Sequence, residues 1–158
     1  MKNSFLILAT AIVLTSCASK SSFNSFYEEN KKDCEFSISS PAFIANLFIP
    51  KEDVGEYKAL FKKVKHYKVM IFSDASTSLD KKFNRFIKQK NYETIFSVNQ
   101  HGDKVQLYFL QRKNAIREIV LKIKSDNDFV VLGLKTNITE NDFNKIIENS
   151  ESKISVNY

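Results

Sequence analysis

The sequence predicts an α+β domain, a largely antiparallel sheet with helices packed on one face. Two observations carry that expectation. From Tyr92 to about Thr136, apolar residues alternate with period two and are interrupted only by short turn-forming segments, the pattern of successive hairpins. Ahead of that block, Leu79, Phe83, Phe86 and Ile87 recur at helical spacing with Lys81, Lys82, Arg85 and Lys88 between them, an amphipathic helix.

The elements follow in order. Phe23, Phe26 and Tyr27 suggest a short amphipathic helix or ordered arm, after a serine-rich tether that runs to about Ser25. Residues 34–39 read as a short strand. Ser40-Pro41 reads as an N-cap followed by proline at the first helical position, opening a helix over 41–49 with Phe43, Ile44, Leu47 and Phe48 on one face; Pro50 stops it. A second helix, about Glu52 to Lys65, presents Val54, Tyr57, Leu60, Phe61 and Val64. The run Val69-Met70-Ile71-Phe72 fits a strand buried on both faces, which places a strand near 66–72. Thr77 and Asp80 resemble a capping box for the helix Leu79 to Lys90.

The meander then spans about 92–136. Tyr92, Thr94, Phe96 and Val98 share a face, and residues 99–103 turn the chain. Val105, Leu107 and Phe109 alternate up to the turn at Lys113-Asn114. Ile119, Leu121 and Ile123 follow, then Asp126-Asn127, then Phe129 to Leu134. Thr139 and Asp142 look like a second cap, opening a helix with Phe143, Ile146 and Ile147 inward, and Ile154, Val156 and Tyr158 suggest a short last strand. The strand–helix–strand unit over 66–98 leaves room for one parallel pair, a ferredoxin-like feature.

The N-terminus has a different character. A basic start, an apolar run from Phe5 to Leu14 and the small residues Thr15 and Ser16 make a secretory signal. Leu14-Thr15-Ser16-Cys17 looks like a bacterial lipobox, which makes Cys17 the acylated first residue of the mature protein. A spanning helix would need about 20 apolar residues, more than this run supplies, and a Cys17–Cys34 disulfide fits the leader less well than lipidation does. Two or more acyl chains anchor a protein stably, at about 0.8 kcal/mol per buried methylene. No Asp follows Cys17 directly, so the expected location is the periplasmic face of the outer membrane. Residues 1–16 are then signal, 17–25 lipidated N-terminus and tether, and 26–158 one α+β domain.

The formal charge is +6, of which Lys2 belongs to the leader. Export excludes nucleic acid as the partner and leaves anionic lipid or glycan and other envelope proteins. The candidate contacts to an anionic surface are Lys62, Lys63 and Lys65 in one cluster and Lys81, Lys82 and Arg85 in another; solvated helix faces account for both as well. With Cys17 acylated, Cys34 has no partner within the chain and reads as a small buried apolar residue.

The search for chemistry yields little. Three glycines and two histidines cannot build a phosphate loop, a nucleophile elbow or a zinc site of the common kinds, so neither cofactor nor metal is expected. His101 falls in a turn and His66 in a basic stretch. Asp74 with Asp80, and Asp126 with Asp128, are carboxylate pairs for acid–base work, but turns and caps explain all four.

The leader, the Phe-rich arm at 23–27, Pro41-Ala42-Phe43-Ile44, the run Val69–Phe72 and the block from Tyr92 to Thr136 together resemble a family of small Gram-negative lipoproteins known only as a domain of unknown function. The resemblance implies an envelope lipoprotein and supplies no functional residues. The expected function is a non-catalytic binding or accessory module of the envelope, with one sheet face or aromatic patch as its surface; Tyr108 and Leu110, opposite Leu107 and Phe109, are candidates for it. An enzyme acting on envelope polymers through loop carboxylates and an envelope-stress sensor are the competing readings.

Overall fold

A computed structural model describes residues 22–47, 61–73, 77–100, 102–142 and 144. Cys17, most of the second predicted helix, Asp74, His101, the inward residues of the last predicted helix and the final predicted strand lie outside them. Six strands form one antiparallel sheet: β1 (Phe36–Pro41), β2 (Val64–Phe72), β3 (Glu93–Gln100), β4 (Asp103–Arg112), β5 (Ala115–Lys124) and β6 (Phe129–Thr139), in the order β1-β2-β6-β5-β4-β3. The helices whose bounds fall within the described residues are α1 (Ser22–Asn30), the short α2 (Ala42–Ala45) and α3 (Thr77–Gln89).

The meander over β3 to β6 stands as expected, because each link is a short turn. Lys113 and Asn114 both adopt left-handed backbone (φ 51° and 54°), the two-residue hairpin geometry that matches strand twist. At the next turn Ser125 N–H donates to the Asp128 carbonyl at 2.9 Å, and the Ser125 hydroxyl accepts from Asp128 N–H at 3.0 Å.

Several expectations are corrected. The sheet has six strands where the meander and the strand near 66–72 account for five: the short strand read at 34–39 lies at Phe36–Pro41 and joins the sheet as an edge strand beside β2. No parallel pair occurs among the described strands: α3 carries the chain from β2 across the sheet to the far edge, so β2 and β3 are not neighbours. The helix at 41–49 shrinks to Ala42–Ala45, since Pro41 ends β1 and no side chain caps the helix. Of the four apolar residues expected on one face of that helix, Phe43, Ile44 and Leu47 are exposed, and Phe48 lies outside the described residues. Val64 and Lys65 belong to β2, not to the helix before it. Ser22 to Ser25 are helical, so the ordered domain starts earlier than a tether to Ser25 implies. Val69 to Phe72 is not buried on both sides; Met70 and Phe72 are buried while Val69 and Ile71 are half-buried. An irregularity between Thr94 and Phe96 breaks the shared face of β3, because an extra residue shifts the alternation by one.

α1 and α3 lie on one side of the sheet. α1 turns Phe23, Phe26, Tyr27 and Asn30 inward, and α3 adds Phe83, Phe86 and Ile87. They cover Met70, Phe72, Tyr108, Leu110, Val120, Phe129 and Val131. The contact is aromatic: Phe26 meets Phe86 at 4.9 Å and Phe83 at 5.4 Å between ring centroids, and Phe83 meets Phe129 edge-on at 5.9 Å. Such pairs add about 0.5–1.5 kcal/mol each beyond their burial. α3 ends on Asn91 (φ 58°), with Tyr92 N–H donating to the Ile87 carbonyl at 3.1 Å, a left-handed C-terminal cap.

Gly133 in β6 is where α1 comes closest to the sheet. A Cβ there would fall within the Phe23 ring. Gly133→Ala therefore destabilises the domain by about 1–3 kcal/mol, the usual range for overpacking. Urea denaturation of Gly133→Ala, Phe23→Ala and the double variant checks this, with strong non-additivity as the expected outcome.

Candidate functional site

Alternation in the strands creates a second face that α1 and α3 do not touch. The register aligns its residues in three rows across the sheet. The first is Phe36, Ile71, Val130, Ile123, Val105 and Val98; the second is Ile38, Val69, Leu132, Leu121, Leu107 and Phe96. The third runs Ser40, Tyr67, Leu134, Ile119, Phe109 and Glu93. The first two rows contain no polar side chain. Their middle members are half-buried by sheet neighbours, while Phe36, Ile38, Phe96 and Val98 at the edges are 42–50% exposed. Six strands at ordinary spacing and rise give this face a projected area of about 500 Å², large among the apolar patches that monomers expose.

The expected surface was the other one. Tyr108 and Leu110 are buried at 4% and 3%, and it is Leu107 and Phe109 that face outward. The helices α1 and α3 select the face with the larger aromatic content, and no other described helix of more than one turn lies against the aliphatic one.

Two buried polar clusters lock the helices onto the covered face. Glu118, 5% exposed, accepts the N–H of Ser22 at 2.7 Å and of Phe23 at 2.8 Å, and takes a short hydrogen bond from the Tyr92 hydroxyl. A carboxylate at a helix N-terminus satisfies free backbone donors and complements the helix dipole. Burial and the adjacent Glu118 carboxylate push the Tyr92 phenol far above its ordinary range.

The second cluster centres on Lys122, whose side chain is fully buried. Its Nζ lies 2.7 Å from Asp80 Oδ1 and 3.3 Å from Asn84 Oδ1, under the rings of Phe83 and Phe129. Burial pushes the Lys122 ammonium down despite Asp80. Burial also works to raise Asp80, but Lys122 and Lys124 outweigh it and hold the carboxyl below its usual range. Tyr108 is pushed up to about 12 by burial and by Asp80. Neither Glu118 nor Lys122 stands out in the sequence, where both fall on the charged phase of an ordinary amphipathic strand.

The remaining candidates separate. Lys62, Lys63 and Lys65 lie at the start of β2, Lys81, Lys82 and Arg85 on the outer side of α3, and all six are exposed. Lys63 holds Asp142 at 3.1 Å, and Asp142 also accepts from the backbone and hydroxyl of Thr139, the cap read from the sequence. His66 contacts the Ser39 hydroxyl at 2.8 Å, and burial, then Lys68 and Lys135, lower its pKa. Cys34 is half-buried against the core and donates to the Lys31 carbonyl at 3.1 Å.

Of the carboxylate pairs, Asp80 is committed to the β5 lysines, and Asp126 and Asp128 are exposed in a turn. A cavity of about 350 Å³ lies between the end of α1 and the start of α3, and among the described residues Asp33 is the one carboxylate in its lining. Among the described residues, no group of acidic, Cys and His side chains is placed to hold a metal ion, and no helix is long and apolar enough to cross a membrane.

Two predictions follow from these clusters. Asp80→Ala strands a buried ammonium and costs about 3–5 kcal/mol, whereas Asp80→Ala combined with Lys122→Met removes both charges and is close to neutral; chemical denaturation separates them. Asp142, held near 2 by Thr139 and Lys63, titrates well below an unfolded Asp. Its depressed folded pKa means that the cap stabilises fully above about pH 4 and is lost as pH falls toward 2, which NMR titration of the carboxyl carbon reads directly.

No curated protein and no solved structure matches the chain. Residues 27–146, well over half of the sequence, match one family, and the chain belongs to it: the Domain of unknown function family DUF4252.

Proposed function

We propose that the protein is a lipid-anchored, non-catalytic binding module of the cell envelope. Cys17 holds it on the periplasmic face of the outer membrane, and its open sheet face docks an uncharged, apolar surface of another envelope protein. The single observation behind this reading is the pair of unbroken apolar rows across six strands. Their chemistry narrows the partner. A glycan or an anionic polymer needs hydrogen-bonding or charged groups on the surface that receives it, and the two rows offer none. A flat aliphatic surface of this size suits the centre of a protein–protein contact, where charged groups are depleted. The anchor rests on the basic, apolar and small-residue order of the leader up to Cys17.

Both halves of the reading are testable. Radiolabelled palmitate enters the wild-type chain and not Cys17→Ser, and the variant leaves the membrane fraction; a variant that stays membrane-bound and labelled refutes the anchor. For the face, a photocrosslinker at Leu121 in the native envelope yields one discrete hetero-adduct. Leu132→Glu abolishes that adduct, and the crosslinker at Lys88 on α3 does not form it. Absence of any adduct at Leu121, or an adduct with the mass of two copies of this chain, overturns the docking of another protein.

A further inference from the structure

Among the described residues, the two ends of the sheet differ in charge. At one end lie the start of β2, the end of β6 and the β4–β5 turn, with Lys62, Lys63, Lys65, Arg112, Lys113 and Arg117. Opposing them are Glu93, Glu140 and Asp142, the last already held by Lys63. At the other end Asp33, Glu35, Asp103, Asp126 and Asp128 are balanced by Lys32, Lys81, Lys82, Lys104 and Lys124, and Lys124 is engaged by Asp80 at 3.5 Å.

α1 begins at the basic end, and hydrogen bonds join it to the cations there. The Lys63 carbonyl accepts from Asn137 N–H at 3.2 Å, and the Asn137 side-chain oxygen accepts from the Arg117 guanidinium. Arg117 Nε donates to the Arg112 carbonyl at 3.3 Å, and Arg112 Nη2 donates to the Ser22 hydroxyl at 3.3 Å. Ser22 is five residues after Cys17, which covalent geometry converts to at most about 18 Å.

We infer that the basic end is a membrane-facing surface that rests on anionic phospholipid, so that the sheet stands on the bilayer with its charge-balanced end outward. The inference rests on the anchor proposed at Cys17. An acyl anchor fixes distance but not orientation; the cations supply orientation, each worth about a fivefold preference for an anionic surface. In this pose the apolar rows stand roughly perpendicular to the bilayer. Lys81 and Lys82 lie toward the balanced end, among carboxylates, so this assigns lipid contact to the β2 cluster and not to them.

The test uses the lipidated protein in vesicles of phosphatidylcholine, with and without phosphatidylglycerol. A fluorophore is placed at Gln111→Cys near the basic end or at Asn127→Cys near the opposite end, each with Cys34→Ser, and is quenched by headgroup spin-labelled lipid. Quenching at position 111 should exceed that at 127. It should rise several-fold with phosphatidylglycerol and fall with salt or with the triple change Lys62→Glu, Lys65→Glu, Lys113→Glu, while the protein still floats with the vesicles. Equal quenching at the two positions, or indifference to phosphatidylglycerol and to the triple change, overturns the orientation and leaves the anchor standing. Failure to float with neutral vesicles removes the anchor, and the orientation with it.

Discussion

Glu118 is where the architecture is tied together. Its carboxylate sits on the middle of the covered face and receives two backbone N–H groups from the first turn of α1 and the hydroxyl of Tyr92. An ionised carboxylate in this position needs donors to offset its desolvation, and the start of α1 has backbone donors without intrahelical partners. Each solves the other's problem. Tyr92 arrives through the left-handed cap that ends α3, so a single buried group fixes the N-terminal helix, the end of the crossover helix and the entry to the meander. Phe23, the next residue along α1, then settles onto the bare backbone of Gly133.

Polar anchors and aromatic packing divide the work on this face. The rings of Phe23, Phe26, Phe83, Phe86 and Phe129 provide the buried area, but rings alone tolerate sliding between helix and sheet. The Lys122–Asp80 contact and the Glu118 cluster are directional and engage α3 and α1 respectively. A buried ion pair adds little net stability against an apolar replacement; its value here is in setting where α3 sits. The result is one firmly closed face and one open face in the same sheet.

That asymmetry gives the functional reading its form. The closed face absorbs the buried charges, the opposite face carries the apolar rows, and a cluster of exposed cations lies at the end where α1 begins. In the proposed reading, docking, locking and orientation fall to these three surfaces.

Much of this was legible in the sequence. The meander, α3 and the Thr139–Asp142 cap are local: period-two alternation, helical spacing and a side chain reaching a backbone group three residues away are all encoded within a few residues. Which face of the sheet is covered is not local. Alternation separates Ile119, Leu121 and Ile123 from Glu118, Val120 and Lys122, and by polarity alone the second set reads as the solvent side. Only the tertiary structure reverses that, because the partners that satisfy Glu118 and Lys122 come from helices 95 and 42 residues away. The extra residue in β3 and the edge pairing of β1 escape for the same reason, since register is a property of two strands and not of one. The sequence by itself determined the meander, α3 and the Thr139–Asp142 cap, because each is encoded locally; the fold decided which charges are buried and which apolar residues share the face away from α1 and α3.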